Sequence, residues 1–219
     1  SIAQNHRGTM TTMPDALAPG APTPSELRLL PLAEFGHSVA VDYHMHTTYS
    51  DGADSPRGMA RAAATKGIHE ILFSEHVRHT STFYPSFAKK IRSLRYSGLS
   101  IRLGVETKAL SQDGHLDCSP EIASICDALV GSVHSPPPDS DGAARSWSDL
   151  DGESALELEY QLAMAIVTKS RAHILGHPMG MVVTRLNLQP LEHLYELARA
   201  CSASGTAFEL NPRYCPSPP

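Results

Sequence analysis

In the stretch DYHMHTTYSDG, residues 42–52, two histidines stand one residue apart and an aspartate follows five positions after the second. Along an extended chain, residues i and i+2 point to the same side. His44 and His46 can therefore grip one cation while Met45 faces away, and Gly52 frees the backbone to bring Asp51 back over them. Imidazole nitrogens with carboxylate oxygens suit Zn, Mn or Fe. Similar groups recur downstream at Glu75-His76, Glu106, His134, His177 and Glu209 with Asn211. Glu106 has two oxygens with which to bridge two ions, and a pair of ions about 3.5–4 Å apart can bind a phosphate and hold a hydroxide for in-line attack. An HxH pair alone is weak evidence, and His76, His134 or Glu106 alone reads as an ordinary strand-end or solvated side chain. The joint pattern carries the argument, because each group falls at the end of an expected strand.

Those strands are read at 39–46, 70–76, 100–107, 127–134, 173–178 and 205–211, where short β-type runs alternate with helical patterns. Helices are expected from Ser55 to Gly67, over 87–98, from Ser119, over 153–170 and over 188–205. Residues 135–152 read as a long polar surface loop. This alternation predicts an α/β fold with a parallel sheet or barrel, whose C-terminal strand ends form the active face. Arg78, Lys108, Arg185 and Arg213 follow strands two, three, five and six and are candidates to hold a phosphate, Arg185 and Arg213 first. His79 and His115 lie in loops where they can touch substrate. His6, His37, His69, His173 and His193 fall in the leader, before a strand, at strand starts or on a helix, away from the rim.

The chain has 219 residues and a formal net charge of −5, so no global basic field draws in a long nucleic acid. A small phosphorylated metabolite is the expected partner. The four cysteines form no CxxC pair and read as reduced thiols, which points to the cytoplasm. No apolar run approaches the roughly 20 residues that span a bilayer. Residues 1–36 read as a leader, partly disordered or vector-derived, ahead of one domain over 37–219.

The motifs together resemble the PHP family of polymerases and histidinol phosphatases. DYHMHTTYSDG looks like its first motif, FSEH like its second (usually TDH), and GVETK, GSVHS and ILGHP like the next three. The resemblance covers about Val41 to Asn211 and implies a distorted (β/α)7-type PHP barrel. Its seventh strand, with an Asp-x-His motif, has no counterpart before Pro219, so the last strand is apparently absent from this chain. The resemblance further implies two to three divalent metal ions: His44 and His46 on one, Glu106 bridging to a second held by His134 and His177, and Asp51 with His76 on a third. Asp42 and Glu75 would orient the histidines by hydrogen bonds.

The activity implied is that of a metal-dependent phosphatase acting on a small-molecule phosphate monoester, with Glu106 and His134 carrying the catalytic step. Rival readings are a phosphodiesterase or nucleotide-end nuclease of the same family, an amidohydrolase-type C–N hydrolase, and a degenerate non-catalytic PHP module. Against the amidohydrolase, the fourth strand offers no bridging lysine. Oligomeric state is left open.

Overall fold

Sequence period and glycine placement set the architecture of the computed structural model, which describes residues 40–214. Six strands, β1 (Val41–Met45), β2 (Glu70–His76), β3 (Ser100–Lys108), β4 (Ala128–Ser132), β5 (Ile174–Leu175) and β6 (Ala207–Phe208), form one parallel sheet in sequential order. Helices α1 (Pro56–Thr65), α2 (Tyr84–Ser93), α3 (Pro120–Ile125), α4 (Gly152–Lys169), α5 (Gly180–Leu186) and α6 (Leu191–Ser204) lie between or beside them. The sheet curls into a half-barrel, the expected barrel form with no seventh strand among the described residues. The expected leader, Cys215, His6 and His37 lie outside the described residues. No helix among those described is long and apolar enough to cross a membrane.

The period-two alternation divides the strand side chains between the outer and the inner face of the sheet. Ile71, Phe73, Leu103, Val105 and Leu129 pack with the helix residues Ala60, Ala63, Phe87 and Ile91. A second outer cluster gathers Leu162, Ile166, Leu175 and Leu197 around α4 and α6. Inside the curl, Leu72, Ala128, Val130 and Ile174 form a smaller cluster with Tyr43 against it. Gly104 is required there, since a Cβ would meet Leu72 Cδ1 at 2.7 Å. Two and four residues beyond Leu72 come Ser74 and His76, and two and four beyond Val130 come Ser132 and His134. The inner face thus passes from an apolar floor to a polar rim.

Several boundaries differ from the sequence reading. β4, β5 and β6 end before His134, His177 and Glu209, so these residues stand on the first turns of the loops. Helix α5 was not expected, because seven residues without a side-chain N-cap give little signal. The first helix does start where Ser55 predicts, its hydroxyl accepting from Gly58 N at 3.1 Å.

Candidate metal centre

The register of β1 slips between Asp42 and Met45, and Ser74 repairs it: its Oγ accepts from Met45 N at 3.0 Å and donates to Met45 O at 3.2 Å. Met45 turns into the outer core while His44 and His46 reach inward. Beyond the strand, the 47–52 turn is closed by Ser50 N and Gly52 N on Thr47 O, both at 3.0 Å. A Cβ on Gly52 would collide with the His46 carbonyl, so this turn needs glycine. It returns Asp51 to within 3.4 Å of His76 Nε2, although the Asp51 side chain stays 67% exposed.

Glu106 is the centre of the site and is 1% exposed. Its Oε1 lies 3.0 Å from His134 Nε2 and 2.9 Å from His177 Nε2. Its Oε2 lies 3.3 Å from His44 Nε2, 3.4 Å from His46 Nε2 and 2.8 Å from His76 Nδ1. Five imidazoles around one carboxylate are more than hydrogen bonding can use. Oε2 has no well-aligned hydrogen bond despite its three close nitrogens, and His134 Nε2 faces His177 Nε2 at 3.3 Å. Such spacing suits a shared cation: bonds of about 2.0–2.2 Å at tetrahedral angles hold ligand atoms roughly 3.3–3.6 Å apart. The donor atoms form three sets within 4.8 Å: His44, Glu106 and His177; His46, Asp51 and His76; His76, Glu106 and His134. These residues fit a cluster of divalent cations. His46 groups with Asp51 and His76, whereas the resemblance pairs it with His44.

The charge balance points the same way. Burial opposes the charge on His44, but Glu106 and Glu209 outweigh it and lift the ring to about 10. His46 moves oppositely: burial, together with the neighbouring His76 and His44, depresses it to about 4 despite Glu106. Burial would raise Glu106, yet the hydrogen-bonded His134 and His177 and the close His44 and His76 imidazoles hold it well below the usual carboxylate range. A field that holds protons on crowded imidazoles will also hold a cation in their place, because protons and metal compete for the same lone pairs.

Around the donors lies a supporting set. Glu209 Oε2 contacts His44 Nδ1 at 2.8 Å and accepts from His177 N at 2.6 Å, while Asn211 Nδ2 donates to Glu209 Oε1 at 2.9 Å. The sequence reading noted Glu209 as a polar strand end but gave it no site role. Asp42 and Glu75 were expected to orient imidazoles directly. Instead Asp42 accepts from the His44 backbone at 3.1 Å, and Glu75 braces the 47–52 turn through Thr47 N at 2.7 Å and Ser50 Oγ at 2.5 Å. Trp147 Nε1 donates to His134 O at 3.0 Å. His177 has a left-handed backbone, φ 26°, and its loop is held by buried Glu159, which accepts from Met181 N at 3.0 Å and Val182 N at 2.7 Å. Burial pushes the Glu159 carboxyl up to about 7.

The candidate cations are more dispersed. Arg213 lies over the Tyr214 ring at 5.7 Å, and that ring packs on His177 with centroids 4.6 Å apart. Arg78 and Arg185 are exposed and Lys108 is half-buried; among the described residues none has a hydrogen bond or ion pair to the cluster. His173 is buried and accepts from Leu129 N at 3.1 Å, a structural role.

The profile of the PHP domain family matches residues 42–213. Over 191 residues the chain is 30% identical to a protein of Bacillus subtilis (strain 168) named DNA polymerase/3'-5' exonuclease PolX, covering 82% of this chain and 30% of that protein. It is 24% identical over 177 residues to a protein named probable phosphatase in Enterobacter sp. (strain 638), covering 78% of this chain and 63% of that one. The chain thus spans less than two thirds of either relative.

Proposed function

The chain belongs to the PHP domain family, and from that premise we propose that it is a metal-dependent phosphoesterase whose substrate is a small phosphate monoester. The observation that supports this reading is the Glu106 carboxylate, shared by five imidazoles with one oxygen left without an aligned hydrogen bond. Glu106 with His44, His177, His76 and His134 would hold two ions, and His46, Asp51 and His76 a third. Bound there, divalent cations would supply Lewis acidity toward a phosphoryl oxygen and a lowered pKa for the attacking water. Glu209 keeps His44 Nε2 turned inward by engaging Nδ1. Tyr214 covers His177, and Arg213 beside it is the candidate to meet a phosphate oxygen.

A second reading, cleavage at a nucleotide end, is favoured by the name of the Bacillus relative. The two are separated by assay of the purified protein with Mn or Zn. The proposal expects turnover of an aryl phosphate that is abolished by chelation and restored by metal. Selective shortening of an end-labelled oligonucleotide would favour the second reading. Absence of hydrolysis of any ester at full metal loading would overturn both.

A further inference from the structure

The metal cluster leaves one chemical task unassigned: a proton for the departing oxygen. Its imidazoles and carboxylates either face the shared centre or hold those that do. We propose that His79, held by Asp117, is the proton donor to the leaving oxygen of the phosphoester, an inference that rests on the phosphoesterase reading.

His79 stands on the rim that carries the cluster. β2 ends at His76, and Val77 N donates to Glu106 O at 2.9 Å, which ties the departing chain to the strand bearing the central carboxylate. At 3.8 Å per residue, the His79 Cα is within about 11 Å of the His76 Cα. The turn is fixed by Ser81 N on Arg78 O and by Arg78 N on Ser81 Oγ, both at 2.9 Å. Facing it is the hairpin that follows β3, whose Ala109 and Leu116 form an antiparallel bridge and whose Asp117 N donates to Lys108 O at 3.0 Å.

Asp117 is 5% exposed, and one of its oxygens, Oδ1, serves His79 twice: the backbone N–H at 3.1 Å and ring Nδ1 at 2.6 Å. The His79 side chain itself is 69% exposed. A buried carboxylate on Nδ1 fixes the ring plane, and among the described residues Nε2 has no hydrogen-bond partner, the relation of an orienting acid to a working imidazole. In its imidazolium form the ring carries a transferable proton on Nε2. In the step, the water oxygen bonds to phosphorus, the bond from phosphorus to the leaving oxygen breaks, and the Nε2 proton passes to that oxygen. The products are the alcohol and inorganic phosphate, which takes the attacking water's protons and releases one to solvent, and His79 regains its proton from solvent. Asp117 acts through His79 and is a positioning residue.

The test compares 4-nitrophenyl phosphate, whose leaving group needs no proton, with an alkyl phosphate, whose leaving group does. His79→Ala should lower kcat/KM for the alkyl ester on the order of 100-fold while changing the nitrophenyl ester less than about 3-fold, with metal content intact. Asp117→Asn should show the same selectivity in smaller measure, and His79→Gln serves if the alanine variant folds poorly. Equal losses on both esters, or none on the alkyl ester, would overturn the assignment of His79. A metal-loaded parent protein that hydrolyses neither ester would overturn the monoester reading instead.

Discussion

Glu106→Gln is expected to lower turnover by about three orders of magnitude or more, and to leave the protein with little bound metal. Both oxygens of Glu106 are committed, two imidazoles to one and three to the other. An amide keeps the shape but presents N–H donors where a cation or an imidazole N–H must approach, and it removes the negative charge that all five rings share. The effect on the protein without metal has a defined sign. His44 is raised to about 10 by Glu106 and Glu209 together, so the variant should hold its proton less tightly. Turnover at saturating Mn or Zn, elemental analysis and the His44 titration followed by NMR check the three parts. Near-normal turnover would remove Glu106 from the mechanism.

Glu209→Ala should follow, with metal affinity down about 10- to 100-fold, the range for losing a group that orients a ligand. The substitution frees His44 Nδ1 and the His177 N–H together, on two residues of one donor set. Asp42→Ala is the informative control, because among the described residues Asp42 accepts only from the His44 backbone, and its loss should cost much less. Chelator competition with Zn measures both, and equal losses would show that ring orientation is not what Glu209 provides.

The contrast between these carboxylates shows what the sequence can disclose. The HxH pair, the SDG turn and single polar residues at the ends of six β-type runs reveal which strands meet at the rim, because the period of two carries Leu72 to His76 and Val130 to His134 on one face. That one-dimensional pattern was legible. Which carboxylate serves which imidazole was not. Glu209 lies 165 residues from His44, and Asp42 and Glu75, although within two residues of histidines, turn to backbone amides instead. The same holds for Asp117, 38 residues from His79, whose partner emerges only when two loops are folded against each other. Helix α5 escaped because its start depends on a left-handed Met179 and on Glu159 from another helix, neither of which is a local signal.

The central claim is that the convergent donors hold a cluster of divalent cations. Anomalous diffraction from crystals of the protein grown with Zn or Mn tests it most directly. The account predicts at least two anomalous peaks, each within about 2.3 Å of a Glu106 oxygen and of at least two imidazole nitrogens from the set His44, His46, His76, His134 and His177. A map in which the metal lies elsewhere, with no peak within bonding distance of Glu106, would contradict it.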